Sequence, residues 1–186
     1  DRTLPGVDTA QTPALMGIIN VTPDSFHDGG EYATVDEAYE RATRLVEEGA
    51  DIVDVGGEST RPGADPIEIQ TEMDRILPVV EALQDLDVAI AVDTRKAEVA
   101  EAAIKAGADL INDQDGLEDP DMRAVIAEHD VPVVVMHSIN TPVEPDAVVP
   151  YDDVVADVIR DLHERTRLAE TAGIDREQII IDPGIG

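Results

Sequence analysis

Cysteine and tryptophan are absent from this chain of 186 residues, and lysine occurs only at Lys96 and Lys105. Without cysteine the fold cannot depend on disulfides, which is compatible with a reducing compartment, and we expect a cytoplasmic protein. The chain has neither an apolar run that approaches the length of a membrane span nor a charged-then-apolar leader. We therefore expect no membrane partner.

Positive charge is scarce as well, since 13 basic side chains stand against 42 acidic ones and give a formal net charge of −29. Nucleic acids and anionic lipids are bound by clustered lysine and arginine, so the charge excludes a nucleic-acid binder that neutralises phosphates and disfavours docking on anionic lipid. The charge does not indicate disorder. Valine, isoleucine, leucine and phenylalanine account for 50 of the 186 residues, above the share of about 20% below which disorder is expected.

An acidic surface with almost no lysine is typical of a high-salt cytoplasm, where a Debye length of about 3 Å at 1 M screens the self-repulsion. We expect the midpoint of thermal unfolding to rise as KCl is increased to molar concentration. Circular dichroism across a KCl series measures this midpoint. A midpoint that stays constant or falls would contradict the salt interpretation.

Short apolar segments alternate along the chain with segments of helical spacing. The apolar segments are rich in valine and isoleucine and apolar at successive positions, which is typical of strands buried on both faces of a parallel sheet. Strands are predicted over 15–21, 51–55, 88–92, 109–112, 131–136 and 178–182, and helices over 35–48, 73–83, 98–106, 122–129 and 154–172. Gly49, Gly107 and Gly173 are predicted to end three of these helices with a positive φ.

Polar residues follow the predicted strands where each strand ends, and the carboxyl ends of parallel strands are where α/β folds bind ligands. Each of these residues by itself could be only an acidic turn residue. No glycine-rich phosphate-binding turn follows the first strand, which favours a barrel over a doubly wound sheet. The polar residues are Asn20, Asp54, Glu58, Asp93, Asn112, Asp113, His137 and Asp182.

Several of these segments are long and distinctive, and they resemble the dihydropteroate synthase family. The similar stretches include MGIINVTPDSFHDGG over 16–30 and GADIVDVGGESTRPGA over 49–64. AVDTRKAEVA, GADLIND, VVVMH and IIIDPGIG follow in the family's order. The resemblance implies an α/β fold, a TIM (βα)8 barrel of which this chain supplies about the first six βα units. We expect residues 1–14 to be a tail or linker and 15–186 a pterin-binding barrel domain, incomplete at its C-terminus.

The resemblance also implies a transferase of folate biosynthesis. Enzymes of this family condense 7,8-dihydropterin-6-ylmethyl diphosphate with p-aminobenzoate, giving 7,8-dihydropteroate and diphosphate, with Mg²⁺ as cofactor. These two small molecules are the expected partners, and a second copy of the chain is a candidate partner. The family's later lysine-bearing and arginine-bearing motifs are absent from these residues, so we expect the 186 residues alone to have little or no activity.

For the pterin, the resemblance implies that Asp93, Asn112 and Asp182 bind the ring and that Met136 packs beside it. Asp93 and Asp182 would also be catalytic, because their carboxylates stabilise positive charge on the pterin. Without the resemblance, Asp93 could be a residue that favours a helix N-terminus. Asp182 could be part of an Asp-Pro turn.

For the anionic part of the substrate, the resemblance implies that Asn20 contacts Mg²⁺ and that Arg61 binds the diphosphate oxygens as a planar fork. Thr60 would line the site near both substrates. Without the resemblance, Asn20 could be only an asparagine in a turn, and Arg61 could be only an arginine on the surface. Arg95 adds a cation near the mouth of the site in a position where the family has a small or aromatic residue.

His137 has three competing explanations, as a general base, as a wall of the pterin pocket, or as a satisfied histidine at a strand end. An aromatic amine attacks without prior deprotonation, so the structural explanation is preferred. Two alternative functions remain open for the chain. One is the pterin-binding module of a corrinoid methyltransferase, which lacks the loops seen in 16–30 and 49–64, and the other is a non-catalytic paralogue.

Overall fold

The predicted apolar segments form the six strands of one parallel sheet, and the predicted helical segments lie between them. A computed structural model describes residues 4, 7, 13–22, 31–59, 65–137 and 153–185. The strands are β1 (Met16–Asn20), β2 (Ile52–Gly56), β3 (Ala89–Asp93), β4 (Leu110–Asp113), β5 (Val133–Met136) and β6 (Ile179–Asp182). The α-helices are α1 (Glu31–Glu47), α2 (Ile69–Leu83), α3 (Ala97–Ala106), α4 (Pro120–His129) and α5 (Val154–Ala172).

The sheet order is β1-β2-β3-β4-β5-β6, with every neighbouring pair parallel. A doubly wound sheet reverses its strand order at a switch point, whereas a barrel adds each new strand beside the last. The predicted α/β fold class is therefore confirmed, and the chain forms six consecutive strands of a TIM barrel together with the helices that connect them.

The four central strands, β2 to β5, are buried on both faces because their side chains alternate between two apolar clusters. Outward-facing residues such as Val53, Val92 and Val135 pack against the helices in the larger cluster. Inward-facing residues fill the barrel interior and are all aliphatic: Ile52, Ala89, Ala91, Leu110 and Val134. This division explains why the strands are apolar at successive positions.

The inner cluster also contains two residues from the stretch before β1. Leu4 and Val7 are buried and contact the inward-facing side chains. The predicted boundary between residues 14 and 15 stays a prediction, but these two side chains extend the core beyond it.

The turns from helix to strand follow the predicted geometry. Gly49, Gly107 and Gly173 have φ values of 101°, 112° and 100°. This left-handed conformation ends the helix and directs the chain into the next strand, and it is available to glycine without a steric penalty. Among the helices of the described residues, none combines the length and the apolar character that a membrane crossing requires.

Candidate functional site

The register of the sheet brings polar side chains from different strands to one inner edge. Asn20 pairs with Gly56, Gly56 with Asp93, and Asp93 with Asn112, so the four residues form a row across β1 to β4. Paired residues of parallel strands point to the same face. Asp93 and Asn112 lie two positions beyond the inward-facing Ala91 and Leu110. The row therefore faces the barrel interior at the carboxyl ends of the strands.

Met136 and Asp182 pair with each other at the ends of β5 and β6 and continue this edge. Five of the seven predicted site residues thus lie on one face of the sheet. Thr60 and Arg61 lie outside the described residues, as does the 138–152 segment that follows β5. Their predicted roles stay predictions.

Gly56 leaves a gap in the middle of the row. A methyl group at this position would lie 3.6 Å from Asp93 Oδ2 and 3.7 Å from Asn20 Oδ1. Because glycine has no side chain, nothing from residue 56 fills the space between these two oxygen atoms. The carboxylate and the amide therefore border the same small space above β2.

Asp54 lies below this row and contacts it. Asn112 Nδ2 donates a hydrogen bond to Asp54 Oδ2 at 3.0 Å. The Asp54 side chain is only 3% exposed, and burial raises its pKa to about 6, an effect that the hydrogen bond from Asn112 partly offsets. Its other oxygen, Oδ1, is buried and has no hydrogen-bond partner among the described residues. Asp54 thus offers an unused acceptor at the inner edge.

Asp93 is held by a neighbour from the next loop. Gln114 Nε2 donates a hydrogen bond to Asp93 Oδ2 at 2.6 Å. Burial, followed by the negative charge of Asp54, raises the pKa of Asp93 well above its ordinary value. Asp93 is the last residue of β3, and α3 begins only at Ala97. Asp93 therefore does not have the helix-terminal role that its sequence context allowed.

Asp182 combines a strand-end position with a turn. Its Oδ1 accepts a hydrogen bond from the Gly184 N–H at 2.8 Å, and its backbone oxygen accepts one from the His137 N–H at 2.8 Å. The Asp-Pro turn interpretation is therefore correct for one carboxylate oxygen. It does not exclude ligand binding by the other.

An acidic, amide-rich edge of this kind can bind a flat heterocycle that carries several N–H donors. The family model described as "Pterin binding enzyme" matches residues 16–186 of the chain. The chain belongs to the pterin binding enzyme family.

Individual members of the family are similar over nearly the whole chain. A probable bifunctional folylpolyglutamate synthase/dihydropteroate synthase of Haloferax volcanii is 59% identical over 93% of this chain and 21% of its own length. Dihydropteroate synthase of Bacillus subtilis is 49% identical over 92% of this chain and 59% of its own length. Dihydropteroate synthase of Xanthomonas albilineans, solved with 4-aminobenzoic acid, superposes with a TM-score of 0.85 at 48% identity, over 95% of this chain and 63% of that one. The chain thus spans less than two thirds of the length of these three proteins.

Two residues at the inner edge were not among the predicted site residues. Asp54 was recognised only as a strand-end polar residue, although its position two residues before Gly56 places it on the inner face. Gln114 follows β4 in a turn, and its contact with Asp93 spans 21 positions. Asp54 could have been found from the alternation of side chains between the two faces of β2. No local pattern in the sequence identifies Gln114.

Asp113, which directly follows Asn112, faces outward and organises the turn after β4. Its two carboxylate oxygens accept hydrogen bonds from the N–H groups of Asp115 at 3.0 Å and Leu117 at 2.8 Å. Burial raises the pKa of Asp113 to about 6 despite these contacts. Of the two neighbouring polar residues, only Asn112 therefore faces the inner edge.

His137 is held by a network that starts on α5. Its Nδ1 lies 2.6 Å from Asp161 Oδ2, and Arg165 Nε donates to the same oxygen at 2.8 Å. The buried Arg165 guanidinium also donates to Gly116 O at 3.1 Å and to the backbone oxygen of Asp115. This arrangement favours the structural explanation of His137, because Asp161 fixes its ring.

We expect Arg165→Met to destabilise the protein by about 2 kcal/mol, because two carbonyl groups and Asp161 lose a buried charged donor. Chemical denaturation measures the change in the free energy of unfolding. Arg167→Met, on the same helix, is the control and should change it by less than about 0.5 kcal/mol. Equal effects of the two substitutions would contradict the role given to Arg165.

The two cations that follow β3 are not free in the structure. Arg95 Nε lies 2.9 Å from Glu58 Oε2, and Lys96 Nζ lies 3.1 Å from Glu58 Oε1. The added cation that the sequence placed near the mouth is therefore neutralised by Glu58. Arg95 forms an ion pair within the protein, and its charge is not available to bind a ligand.

Proposed function

We propose that the protein is a dihydropteroate synthase that condenses 7,8-dihydropterin-6-ylmethyl diphosphate with p-aminobenzoate. The observation that carries the proposal is the inner edge formed by Asp54, Asp93 and Asn112, whose carboxylate and amide groups face the barrel interior at the carboxyl ends of the strands. The N–H groups along the edge of a pterin require acceptors of this kind. Similarity to dihydropteroate synthases over more than nine tenths of the chain supports the same reaction.

In the reaction, the amine nitrogen of p-aminobenzoate attacks the methylene carbon and forms the new C–N bond. The C–O bond to the diphosphate breaks, and the diphosphate leaves with the electron pair. The amine loses one proton to solvent. Positive charge develops on the pterin as the leaving group departs, and the carboxylates of Asp93 and Asp182 stabilise it in a site with little water. Asn112 and Asp54 orient the ring, and Met136 packs against it.

The gap above Gly56 suits Mg²⁺. Asn20 Oδ1 and Asp93 Oδ2 border this gap, and Mg²⁺ prefers oxygen ligands, takes few of them from the protein and keeps several water molecules. The described residues contain no group of three or more histidine, cysteine or acidic side chains with metal-binding geometry, and a diphosphate-bound Mg²⁺ does not require one. When bound, Mg²⁺ would neutralise charge on the departing diphosphate. Asn20 is the residue that we propose to contact it.

Thr60 and Arg61 complete the proposal on the diphosphate side. The guanidinium of Arg61 would bind diphosphate oxygens in a bidentate manner, and Thr60 would lie near both substrates. We further infer that residues 15–186 form one barrel domain and that the protein is located in the cytoplasm, where a chain without cysteine needs no disulfides. A homodimer is the assembly to be tested.

Release of diphosphate by the full-length protein tests this function. We expect release only when the dihydropterin diphosphate, p-aminobenzoate and Mg²⁺ are all present, at molar KCl. Omission of p-aminobenzoate is the control. Binding of a dihydropterin without release would instead favour a pterin-binding module, and neither binding nor release would leave the non-catalytic paralogue.

A further inference from the structure

A cluster of four charged side chains lies next to the candidate site, where β2 and β3 end. We call it the β2–β3 ion cluster, and it consists of Glu58, Glu72, Arg95 and Lys96. Lys96 Nζ donates to Glu72 Oε2 at 2.6 Å, to Glu58 Oε1 at 3.1 Å and to the backbone oxygen of Ile67 at 2.7 Å. An ammonium group has three donors, and here each donor has an acceptor.

Glu58 binds the same backbone unit from the other side. Its Oε1 accepts a hydrogen bond from the Ile67 N–H at 2.8 Å, and its Oε2 accepts one from Arg95 Nε at 2.9 Å. Both the N–H and the C=O of Ile67 are therefore held by the β2–β3 ion cluster. Glu58 and Ile67 stand on either side of residues 59–66 in the sequence, so the cluster joins the two ends of the connection from β2 to α2.

Glu72 anchors the cluster to the protein core. Its side chain is 1% exposed, and its Oε1 accepts a hydrogen bond from Thr94 Oγ1 at 2.7 Å. Because Glu72 lies on α2 and Thr94 directly after β3, the position of Lys96 Nζ is fixed by two elements of the barrel. The point at which Lys96 holds Glu58 and Ile67 is therefore set by the rigid part of the fold.

We propose that Lys96 is a positioning residue that holds Glu58 and Ile67 in a fixed geometry, and that substrate binding by Thr60 and Arg61 depends on it. The proposal rests on the proposed function, since the roles of Thr60 and Arg61 belong to it. Because Glu58 and Ile67 are already held together before a substrate binds, the entropic cost of bringing these two residues together is not part of the binding free energy.

A simpler role for Lys96 is only to neutralise the buried carboxylate of Glu72. The two roles differ in their response to removal of both charges. If Lys96 only neutralises Glu72, the double substitution Glu72→Gln and Lys96→Met restores normal behaviour. If Lys96 positions the connection, the double substitution restores stability but leaves Glu58 and Ile67 without their shared donor.

The test compares Lys96→Met, the double substitution and Lys105→Met in the full-length protein. Lys105 is a matched control because it is the other lysine of this chain, 61% exposed and paired with Glu101 on its own helix. Hydrogen exchange followed by mass spectrometry measures the opening of residues 65–68 without substrate. Steady-state release of diphosphate measures KM and kcat.

We expect exchange at residues 65–68 to become at least about tenfold faster in Lys96→Met and in the double substitution, and to be unchanged in Lys105→Met. We expect KM for the diphosphate substrate to rise at least about tenfold in the same two proteins, with a smaller fall in kcat. Normal exchange and normal KM in the double substitution would overturn the proposal. If the unsubstituted protein releases no diphosphate, the proposed function fails, whereas the exchange result still decides whether Lys96 holds the connection.

Discussion

Asp93→Asn should lower kcat by about 100-fold or more, whereas the affinity for the pterin should change by less than about tenfold. The amide can still accept the hydrogen bond that Gln114 donates to Asp93 at 2.6 Å, so the local geometry is retained. Once the Asp93 carboxyl is ionised, the substitution removes only the negative charge that would stabilise the developing pterin cation. Transition-state stabilisation is therefore reduced more than ground-state binding.

Single-turnover kinetics and calorimetric titration of a dihydropterin measure the two effects separately. Asp85→Asn is a suitable control, because it also removes one negative charge but lies exposed in the turn after α2. An equal loss of turnover and of affinity in Asp93→Asn would mean that Asp93 only binds the ring. Its assignment as a catalytic residue would then be wrong.

Asp54→Asn should make the protein more stable and less able to bind a pterin. The pKa of Asp54 in the folded protein is about 6, above its ordinary value of 3.8. A group with a raised folded pKa stabilises the fold fully below the unfolded pKa and loses this contribution as pH rises through the folded pKa. Above pH 6 the buried, ionised carboxylate therefore costs about 3 kcal/mol relative to its protonated form.

We expect the Asp54→Asn substitution to raise the free energy of unfolding by about 2 to 3 kcal/mol at pH 7 and by little at pH 4. Asn112 retains an acceptor, because the amide oxygen can replace Asp54 Oδ2. Denaturant titrations at the two pH values measure the difference. A stability gain of the same size at both pH values would contradict the raised pKa of Asp54.

The same substitution should weaken pterin binding about tenfold or more, since a charged acceptor is replaced by a neutral one. Affinity in the unsubstituted protein should rise as pH increases through about 6, and this pH dependence should be smaller in Asp54→Asn. Asp113→Asn gives a contrast. Asp113 has a similarly raised pKa, but both of its oxygens accept backbone N–H groups, so its substitution should lower stability and leave the affinity for the pterin unchanged.

The strands were predictable because each is a short run of apolar residues, and in β2 to β5 this run reflects burial on both faces. β1 to β6 lie within one or two residues of their predicted positions. Helix starts were less predictable: α1 and α2 each begin four residues before the predicted position, at Glu31 and Ile69. Apolar periodicity marks only the packed part of a helix, and the first turn extends beyond it.

The candidate site residues whose position depends only on the end of a strand could be placed from the sequence. Asp93 and Asn112 are adjacent because their strands are adjacent, and the order of the strands follows from the order of the sequence. Gln114 and Lys96 were harder to place because their partners are distant in sequence. Lys96 meets Glu58 across 38 positions, and only the packing of α2 on the sheet determines where its ammonium group lies.

The burial of the β2–β3 ion cluster has a consequence for a protein in concentrated electrolyte. Potassium and chloride ions compete with exposed pairs such as Lys105 and Glu101, which therefore contribute little at molar salt. Glu72 is 1% exposed, so mobile ions have almost no access to the pair that it forms with Lys96. We therefore expect the contacts within the β2–β3 ion cluster to persist at ionic strengths that screen the charges of the acidic surface.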